Sequence, residues 1–439
     1  MSIRSSFARY LSSSSAAVTT IPLLFQAPSD TSTPISNLQI LSWGRGTTGQ
    51  LGTGKEETRY YPSPTASLIL PSTFRLTPNQ GCLSPSLPPN ITSGLKVGIS
   101  CGLFHSSVLI DGKLWVWGKG DGGRLGFGNE DSLFVPTRNE NEMLSEGVSS
   151  VALGGLHSIV LTQEGKVYSW GYGGFGALGH SVYHRELLPR LVEGNWTGKI
   201  SHIATSGAHT SAITDTGDLY TWGRDEGDGR LGLGSGGGPG EGGSFAVPSK
   251  VTALPVPVKA VACGGFFTMA LTQEGALWSW GANSNFELGR GNNISDWHPT
   301  LIPGLENKCI TQIACGGYHS LALTDKGEVL SWGHGGHGQL GHPFIKNQQV
   351  PLIIEALANE NIVYVTCGGS SSAAITDKGK LYMWGNARDC QLGVPGLPDT
   401  QASPVEVKFL SEDDGLGSYH VVSVAIGASH AMCLVWRQD

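Results

Sequence analysis

The histidines of this chain are the first residues to examine for chemistry, because imidazole carries protons and binds metals near neutral pH. The densest group is His334, His337 and His342, on a glycine-rich stretch that follows His319. Nitrogen ligands at such spacings suit Zn²⁺. Between His319 and His342, however, the only carboxylates fall in or next to a turn-forming stretch, and there is no cysteine. The sequence therefore predicts neither a metal site nor a bound cofactor.

A second set of histidines is periodic. One histidine recurs at a Gly-Gly-x-His-like step, and two copies of that step carry Phe267 and Ser371 instead. A catalytic or metal-binding histidine would not recur in five copies and then be replaced by phenylalanine. We interpret these residues as structural hydrogen-bonding groups between strands. They are His105, His157, His209, His319 and His430.

No other arrangement of reactive residues indicates catalysis. The glycine-rich stretches at 171–176 and 232–243 lack the Gly-Lys-Ser/Thr ending of a phosphate-binding loop, and neither lies between a strand and a helix. The sequence shows no recognisable Ser-His-Asp arrangement or paired-carboxylate motif. We predict that the protein is not an enzyme, has no catalytic, cofactor-binding or metal-binding residues, and takes no small-molecule substrate.

The cysteines do not indicate a disulfide framework. Four of the eight occupy the same position in successive repeats, which places them in parallel around the molecule and not opposite one another. We predict small, buried, unpaired core residues. The four are Cys101, Cys263, Cys315 and Cys367.

These groups are positioned by a repeat of about fifty residues, a period typical of stacked supersecondary units. Each unit has a Trp-Gly pair, and a Leu-Gly pair begins eight or nine residues after the tryptophan. The seven tryptophans of these pairs are Trp43, Trp117, Trp170, Trp222, Trp280, Trp332 and Trp384.

Each unit has the pattern of four short antiparallel strands. In the unit at 314–341, two alternating stretches flank the turn-forming Thr324-Asp325-Lys326-Gly327. A proline after each Leu-Gly pair marks an outer strand, because proline cannot donate to a strand ladder. Seven such units predict an all-β fold, a seven-bladed β-propeller of four-stranded antiparallel blades. The prolines are Pro62, Pro136, Pro189, Pro248, Pro299, Pro351 and Pro404.

The two ends of the chain each carry half a unit. Residues 37–44 have a Trp-Gly pair with no inner strand before it, whereas residues 425–436 have an inner strand around His430 with no Trp-Gly pair after it. We predict that these segments complete one blade jointly, so that the propeller spans 37–436. Two insertions interrupt it, a proline-rich excursion at 55–96 and a glycine-rich loop at 235–243, and both are candidate partner contacts.

The order Gly-Gly-x-His, Asp-x-Gly, Trp-Gly, Leu-Gly resembles the repeat of the regulator of chromosome condensation family over roughly residues 37–436. This resemblance implies a seven-bladed propeller that serves nucleotide exchange on a small GTPase, ultraviolet perception or scaffolding. The family's ultraviolet receptors carry tryptophans where this chain has Gly265, Gly317 and Gly369, which excludes light perception. The loop residues used for nucleotide exchange have no residue-by-residue match here.

The first 29 residues differ in composition from the rest of the chain. They contain Arg4 and Arg9, many serines and no acidic residue, as organellar transit peptides do. We predict a mitochondrial transit peptide over 1–29, with a chloroplast address as the alternative. Arg9-Tyr10-Leu11 before Ser12 also matches a processing site with arginine three residues before the cut. The sequence contains no apolar run of 18 residues, so we predict no membrane span.

The formal net charge of −7 argues against direct RNA binding by the propeller as a whole. The leader and repeats together resemble a plant mitochondrial member of the family, and such relatives serve organellar gene expression. We therefore hypothesise a non-enzymatic scaffold in the mitochondrial matrix that binds RNA-processing proteins. It would support splicing of intron-containing mitochondrial transcripts, and hence respiratory complex I biogenesis, with RNA association indirect. The alternative is a guanine-nucleotide exchange factor for a small GTPase.

Overall fold

Seven β-sheets arranged as blades around a central channel make up the protein in a computed structural model, which describes residues 21–26, 35–71, 97–225, 227–234, 243–409 and 419–437. The described residues contain β-strands and three 3-10 turns, at Asp121–Gly123, Glu142–Leu144 and Glu355–Leu357. The predicted all-β, seven-bladed propeller is thus confirmed.

Six blades each consist of four consecutive antiparallel strands. Blades 1 to 3 are β4 (Val97–Cys101), β5 (His105–Ile110), β6 (Lys113–Gly118) and β7 (Leu133–Arg138); β8 (Val148–Leu153), β9 (His157–Thr162), β10 (Val167–Gly171) and β11 (Glu186–Leu191); and β12 (Ile200–Thr205), β13 (His209–Thr214), β14 (Leu219–Arg224) and β15 (Ser244–Lys250). Blades 4 to 6 are β16 (Val258–Cys263), β17 (Phe267–Thr272), β18 (Leu277–Gly281) and β19 (Asp296–Leu301); β20 (Ile310–Cys315), β21 (His319–Thr324), β22 (Val329–Gly333) and β23 (Gln348–Ile353); and β24 (Ile362–Cys367), β25 (Ser371–Thr376), β26 (Leu381–Asn386) and β27 (Thr400–Glu406). All seven predicted prolines lie in the fourth strand of their blades.

Blade 7 joins the two ends of the chain, as predicted. Its inner strands are β28 (Tyr419–Ile426) and β29 (His430–Arg437), and its outer strands are β2 (Ile35–Gly44) and β3 (Arg59–Pro71). Strands β2 and β29 pair antiparallel from Leu38 opposite Trp436 to Gly44 opposite His430. The ring is therefore closed by backbone hydrogen bonds between strands far apart in sequence.

Blade 7 corrects the sequence prediction in two details. It has a fifth strand, β1 (Leu23–Gln26), which pairs parallel with β3 on the outer edge. In addition, the proline-rich segment predicted at 55–96 is in part the thirteen-residue strand β3. Prolines are tolerated there because β3 is an outer strand, where donors are dispensable at several positions. Residues 72–96 and 235–242 lie outside the described residues, so the predicted loops there stay predictions.

Seven hydrophobic clusters fill the gaps between neighbouring blades, and each contains one tryptophan of a Trp-Gly pair. All seven indoles are fully buried. Trp117, for example, donates from Nε1 to the carbonyl of Gln50 in the preceding blade, at 3.0 Å. It lies against Gly52, where an added Cβ would approach Nε1 to 2.6 Å. The Trp-Gly and Leu-Gly spacing therefore reflects contacts between blades.

The glycine of each Trp-Gly pair is required by close approach within a blade. Gly118 has φ +110°, and a Cβ there would lie 2.6 Å from the carbonyl oxygen of Phe104. A side chain would have to adopt a strained backbone and displace a neighbouring strand at once.

Alternating strand directions give the ring two faces. The turns between the first and second strands, which carry the Gly-Gly steps, share one face with the connections between the third and fourth strands. We call this the glycine face. The tight hairpins between the second and third strands, such as Asp111-Gly112, lie on the opposite face, which we call the hairpin face. Strand β14 ends and β15 begins on the glycine face, whereas β3 ends and β4 begins on the hairpin face.

Candidate functional site: the rim of the glycine face

The five periodic histidines form hydrogen bonds between blades. Each is buried, and its Nε2 lies 2.8–3.2 Å from a serine or threonine hydroxyl of the next blade. The pairs are His105–Ser158, His157–Thr210, His209–Thr268, His319–Ser372 and His430–Ser106. The predicted role in structural hydrogen bonding between strands is confirmed, and the strands that are joined belong to neighbouring blades.

The structure also accounts for one of the two departures from histidine. Ser371 replaces histidine in blade 6, and the position it would reach in blade 7 is occupied by Ala431, which has no hydroxyl. Phe267 in blade 4 instead fills its place with a fully buried ring.

Burial keeps these imidazoles neutral. Loss of solvation lowers the pKa of His157 and His430 to about 4 and that of His319 to about 3. The pKa values of His105 and His209 are lowered well below the usual range for the same reason, and next by the positive charges of Arg124 and Arg230 respectively. Neutral rings without solvent access do not serve as proton shuttles for an external substrate.

The dense histidine group is divided by the fold. His342 is bonded to Ser331 Oγ at 3.0 Å and stacks on Phe344. His334 and His337 remain neighbours, with ring centroids 5.8 Å apart. Among the described residues, no three side chains of histidine, cysteine, aspartate or glutamate come together as metal ligands.

The four equivalent cysteines line the central channel. Cys263 is buried, but the other three are half-buried, which corrects the prediction of core residues. The thiols of Cys101 and Cys315 point to carbonyls of the preceding blade, Ala425 and Ala262, at 3.6 and 3.7 Å. Burial raises the pKa of the Cys101 thiol to about 12. It is therefore a weak hydrogen-bond donor in the channel wall and not a nucleophile.

The rim of the glycine face carries a cluster that sequence patterns did not reveal. Two repeat positions supply most of it: the residue before each framework histidine and the residue after each Trp-Gly pair. These positions supply Arg224, Phe266, Tyr318 and His334, and two loop residues next to them complete a group of six on blades 2 to 5, which we call the rim cluster. They are Phe175, Arg224, Arg230, Phe266, Tyr318 and His334.

Each arginine of the rim cluster lies over an aromatic ring, and the remaining rings contact one another. The Arg224 guanidinium carbon lies 4.4 Å from the centroid of the Phe175 ring, and that of Arg230 lies 4.6 Å from the centroid of Phe266. Phe266 stacks with Tyr318 at 5.4 Å, and Tyr318 meets His334 edge-on at 6.3 Å. Such contacts fix the orientation of the side chains before any partner binds.

Arg230 anchors the cluster. Only 1% of its side chain is exposed, and it forms an ion pair with Asp228 at 2.6 Å and donates to the Gly265 carbonyl at 3.3 Å. Tyr318, in contrast, is 39% exposed, and Arg224 is half-buried. Partial burial, and next the charge of nearby Arg230, lower the pKa of Arg224. The rim thus presents an exposed tyrosine and a cation on a rigid base.

Sequence analysis missed this cluster because its partners lie on different blades. Phe175 and Arg224 are 49 positions apart, and the packing of neighbouring blades brings them together. A comparison of the residues that precede each framework histidine would have shown aromatic side chains in three copies, at Phe104, Phe266 and Tyr318. It would not have shown that Arg230 lies over Phe266 or that Arg224 lies over Phe175.

The fold and its closely repeated blade contacts define a seven-bladed propeller built from glycine-rich repeats of about fifty residues. The chain belongs to the RCC1-like domain family, whose model matches residues 39–433. It is 62% identical over 424 residues to "RCC1 domain-containing protein RUG3, mitochondrial" of Arabidopsis thaliana, covering 96% of this chain and 94% of that one. It is also 32% identical to "Ultraviolet-B receptor UVR8" of Arabidopsis thaliana, over 78% of this chain and 75% of the receptor.

Solved structures agree on the fold. The crystal structure of Prp20p from Saccharomyces cerevisiae matches with a TM-score of 0.74 at 21% identity, covering 93% of both chains. Human WBSCR16 matches with a TM-score of 0.72 at 23% identity, covering 92% of this chain and all of that one. Over the described part of the chain, no helix is long and apolar enough to span a bilayer.

Proposed function

We propose that this protein is a non-enzymatic scaffold in the mitochondrial matrix that holds RNA-processing proteins together. Through them it supports splicing of intron-containing mitochondrial transcripts and respiratory complex I biogenesis. The mitochondrial location is supported by the name of the 62% identical relative, which aligns over 96% of this chain. The arginine- and serine-containing leader is consistent with the same location.

The rim cluster is the observation that supports a binding role. Tyrosine and arginine are enriched among the residues that dominate protein interfaces. Here they are held in place by ring stacking and a buried ion pair, so little conformational freedom is lost on binding. An exposed tyrosine beside arginine side chains suits contact with an extended segment of another macromolecule. We propose that this segment belongs to a partner protein, because the formal charge of −7 disfavours a long phosphate backbone.

Location is tested with the full-length protein and a variant in which both Arg4 and Arg9 are replaced by alanine. We expect the full-length protein in mitochondria and the variant in the cytosol, since import of such leaders depends on their positive charge. A nuclear or cytosolic full-length protein would overturn the proposal. Nucleotide release from a small GTPase would then be measured to test the exchange-factor alternative.

Function is tested by complementing a line that lacks the protein with rim variants. We expect loss of particular spliced mitochondrial transcripts in the null line, and failure of Arg224→Glu and Tyr318→Ala to restore them. Lys113→Glu is the matched charge reversal, because Lys113 is exposed on the hairpin face. It should restore splicing fully. Unaltered splicing in the null line would refute the role in RNA processing, whereas equal rescue by all variants would refute the role of the rim cluster.

Both rim variants also need a stability control. Tyr318→Ala removes an exposed ring, so the midpoint of thermal unfolding should change little. Proximity labelling by the wild-type and Arg224→Glu proteins in mitochondria then identifies the neighbours that depend on the rim.

A further inference from the structure

Strand β1 belongs to the folded ring although it lies within the segment predicted to be removed. Leu23, Phe25 and Gln26 pair with Ser67, Leu68 and Ile69 of β3. Just before the strand, the carbonyl of Pro22 accepts a hydrogen bond from the Ser67 amide at 3.0 Å. Residues 22–26 therefore form hydrogen bonds or strand pairs with the outer edge of blade 7.

Side chains of β1 also contribute to the core between blades 7 and 1. Leu24 and Phe25 are half-buried and pack against the cluster that contains Leu38, Leu68 and Trp117. Leu23 does not share this environment and is 48% exposed. The two central residues of the strand are thus half-buried, and its two end residues, Leu23 and Gln26, are exposed.

Strand β3, with which β1 pairs, is unusually long for an outer strand. Strand β3 has thirteen residues, whereas the outer strands of the other blades have six or seven. A long unpaired edge is a template for pairing with other chains. Removal of residues 1–29 would expose this edge around Ser67 and uncover the apolar side chains beneath Phe25.

We propose that the leader is cut before Ile21, at the bond between Leu11 and Ser12, so that β1 stays in the mature protein. This rests on the proposed mitochondrial location. Arg9 lies three residues before that bond, the arrangement that marks a processing site. A leader peptidase would add water across the Leu11–Ser12 peptide bond, leaving a carboxylate on Leu11 and a free amino group on Ser12. The retained residues 12–439 would include all the strands that the structure describes.

The first test is the amino terminus of the protein recovered from mitochondria, determined by mass spectrometry after chemical labelling of free α-amino groups. We expect Ser12, and any start from Ser12 to Ile21 supports retention of β1. A start beyond Gln26 would overturn the proposal. Arg9→Ala in the full-length chain should slow or shift the cut, whereas unchanged processing would refute the assignment of the bond.

The second test asks whether β1 matters to the fold and does not depend on import. In the full-length protein, Phe25→Asp places a charge against the core, and Leu23→Asp places the same charge on the exposed side. We expect Phe25→Asp to lower the midpoint of thermal unfolding by roughly 2–4 °C and Leu23→Asp to leave it unchanged. Equal midpoints for the two variants would refute a structural role for β1. If the protein is not mitochondrial, its terminus will be uncut, while this pair of variants still reports on β1.

Discussion

The histidine–hydroxyl bonds between blades allow a sharp test at His319, because the chain contains its own comparison. His319 is fully buried, and its Nε2 lies 2.8 Å from Ser372 Oγ. Ser372 in turn donates to the Gln339 carbonyl at 2.8 Å. In blade 4 the same position is Phe267, also fully buried. The fold therefore accommodates a phenyl ring where it usually has an imidazole.

Two substitutions separate packing from hydrogen bonding. His319→Ala removes a buried ring and one bond, so we expect a loss of about 3–4 kcal/mol in the free energy of unfolding. His319→Phe retains the ring volume and loses one bond, while Ser372 keeps its bond to Gln339. We expect a loss of about 1 kcal/mol.

The assay is urea unfolding followed by fluorescence of the buried tryptophans, with circular dichroism to check that both transitions coincide. Phe267→His is the reciprocal control, and it should not stabilise the protein by more than about 1 kcal/mol. Equal losses for His319→Ala and His319→Phe would refute the reasoning, since they would show that the hydrogen bond and not the packing dominates.

Three further predictions concern pH, glycine and closure. The pKa of His157, lowered to about 4 by burial, means that the unfolded chain binds the extra proton between about pH 6.5 and 4. The free energy of unfolding should therefore be constant above pH 6.5 and fall below it, by up to about 1.4 kcal/mol per pH unit for each such histidine. Urea midpoints that do not change from pH 7 to 5 would contradict this. Gly171→Ala should lower the free energy of unfolding by about 3 kcal/mol or more, because φ is +111° and the new Cβ would lie 2.6 Å from the Leu156 carbonyl oxygen. Gly275→Ala, at φ +85° in open space, is the control and should lower it by about 1 kcal/mol in the same urea titration. Deletion of residues 428–439 removes β29 from blade 7 and should abolish cooperative unfolding, while deletion of only 438–439 should leave the calorimetric transition unchanged.

Several features of the fold were predictable because every blade repeats them. The Trp-Gly and Leu-Gly pairs mark contacts that recur at each of seven interfaces, so their spacing survives all variation between blades. The outer-strand prolines follow from a local rule about hydrogen-bond donors. Even the joint blade was predictable, because two half-units at opposite ends of the chain complement each other.

Features that occur once could not be inferred in this way. Strand β1 has only four residues, and nothing in Leu23–Gln26 distinguishes it from an apolar stretch of a leader. Its partner β3 was marked as an outer strand by Pro62, but the prolines that follow also suit an irregular excursion and hid its thirteen-residue length. Parallel pairing between them joins residues 44 positions apart, such as Leu23 and Ser67, and no local pattern records it.

The sequence by itself determined the all-β class, the number of blades, the closure of the ring and the structural nature of the periodic histidines, because each rests on local spacing repeated many times. Only the tertiary structure decided which hydroxyl each histidine meets, that the equivalent cysteines line a channel, and that Arg224 lies over Phe175. These contacts join residues of different blades, and their distances are set by the curvature of the ring. Pairings of this kind are properties of the closed assembly and not of any one repeat.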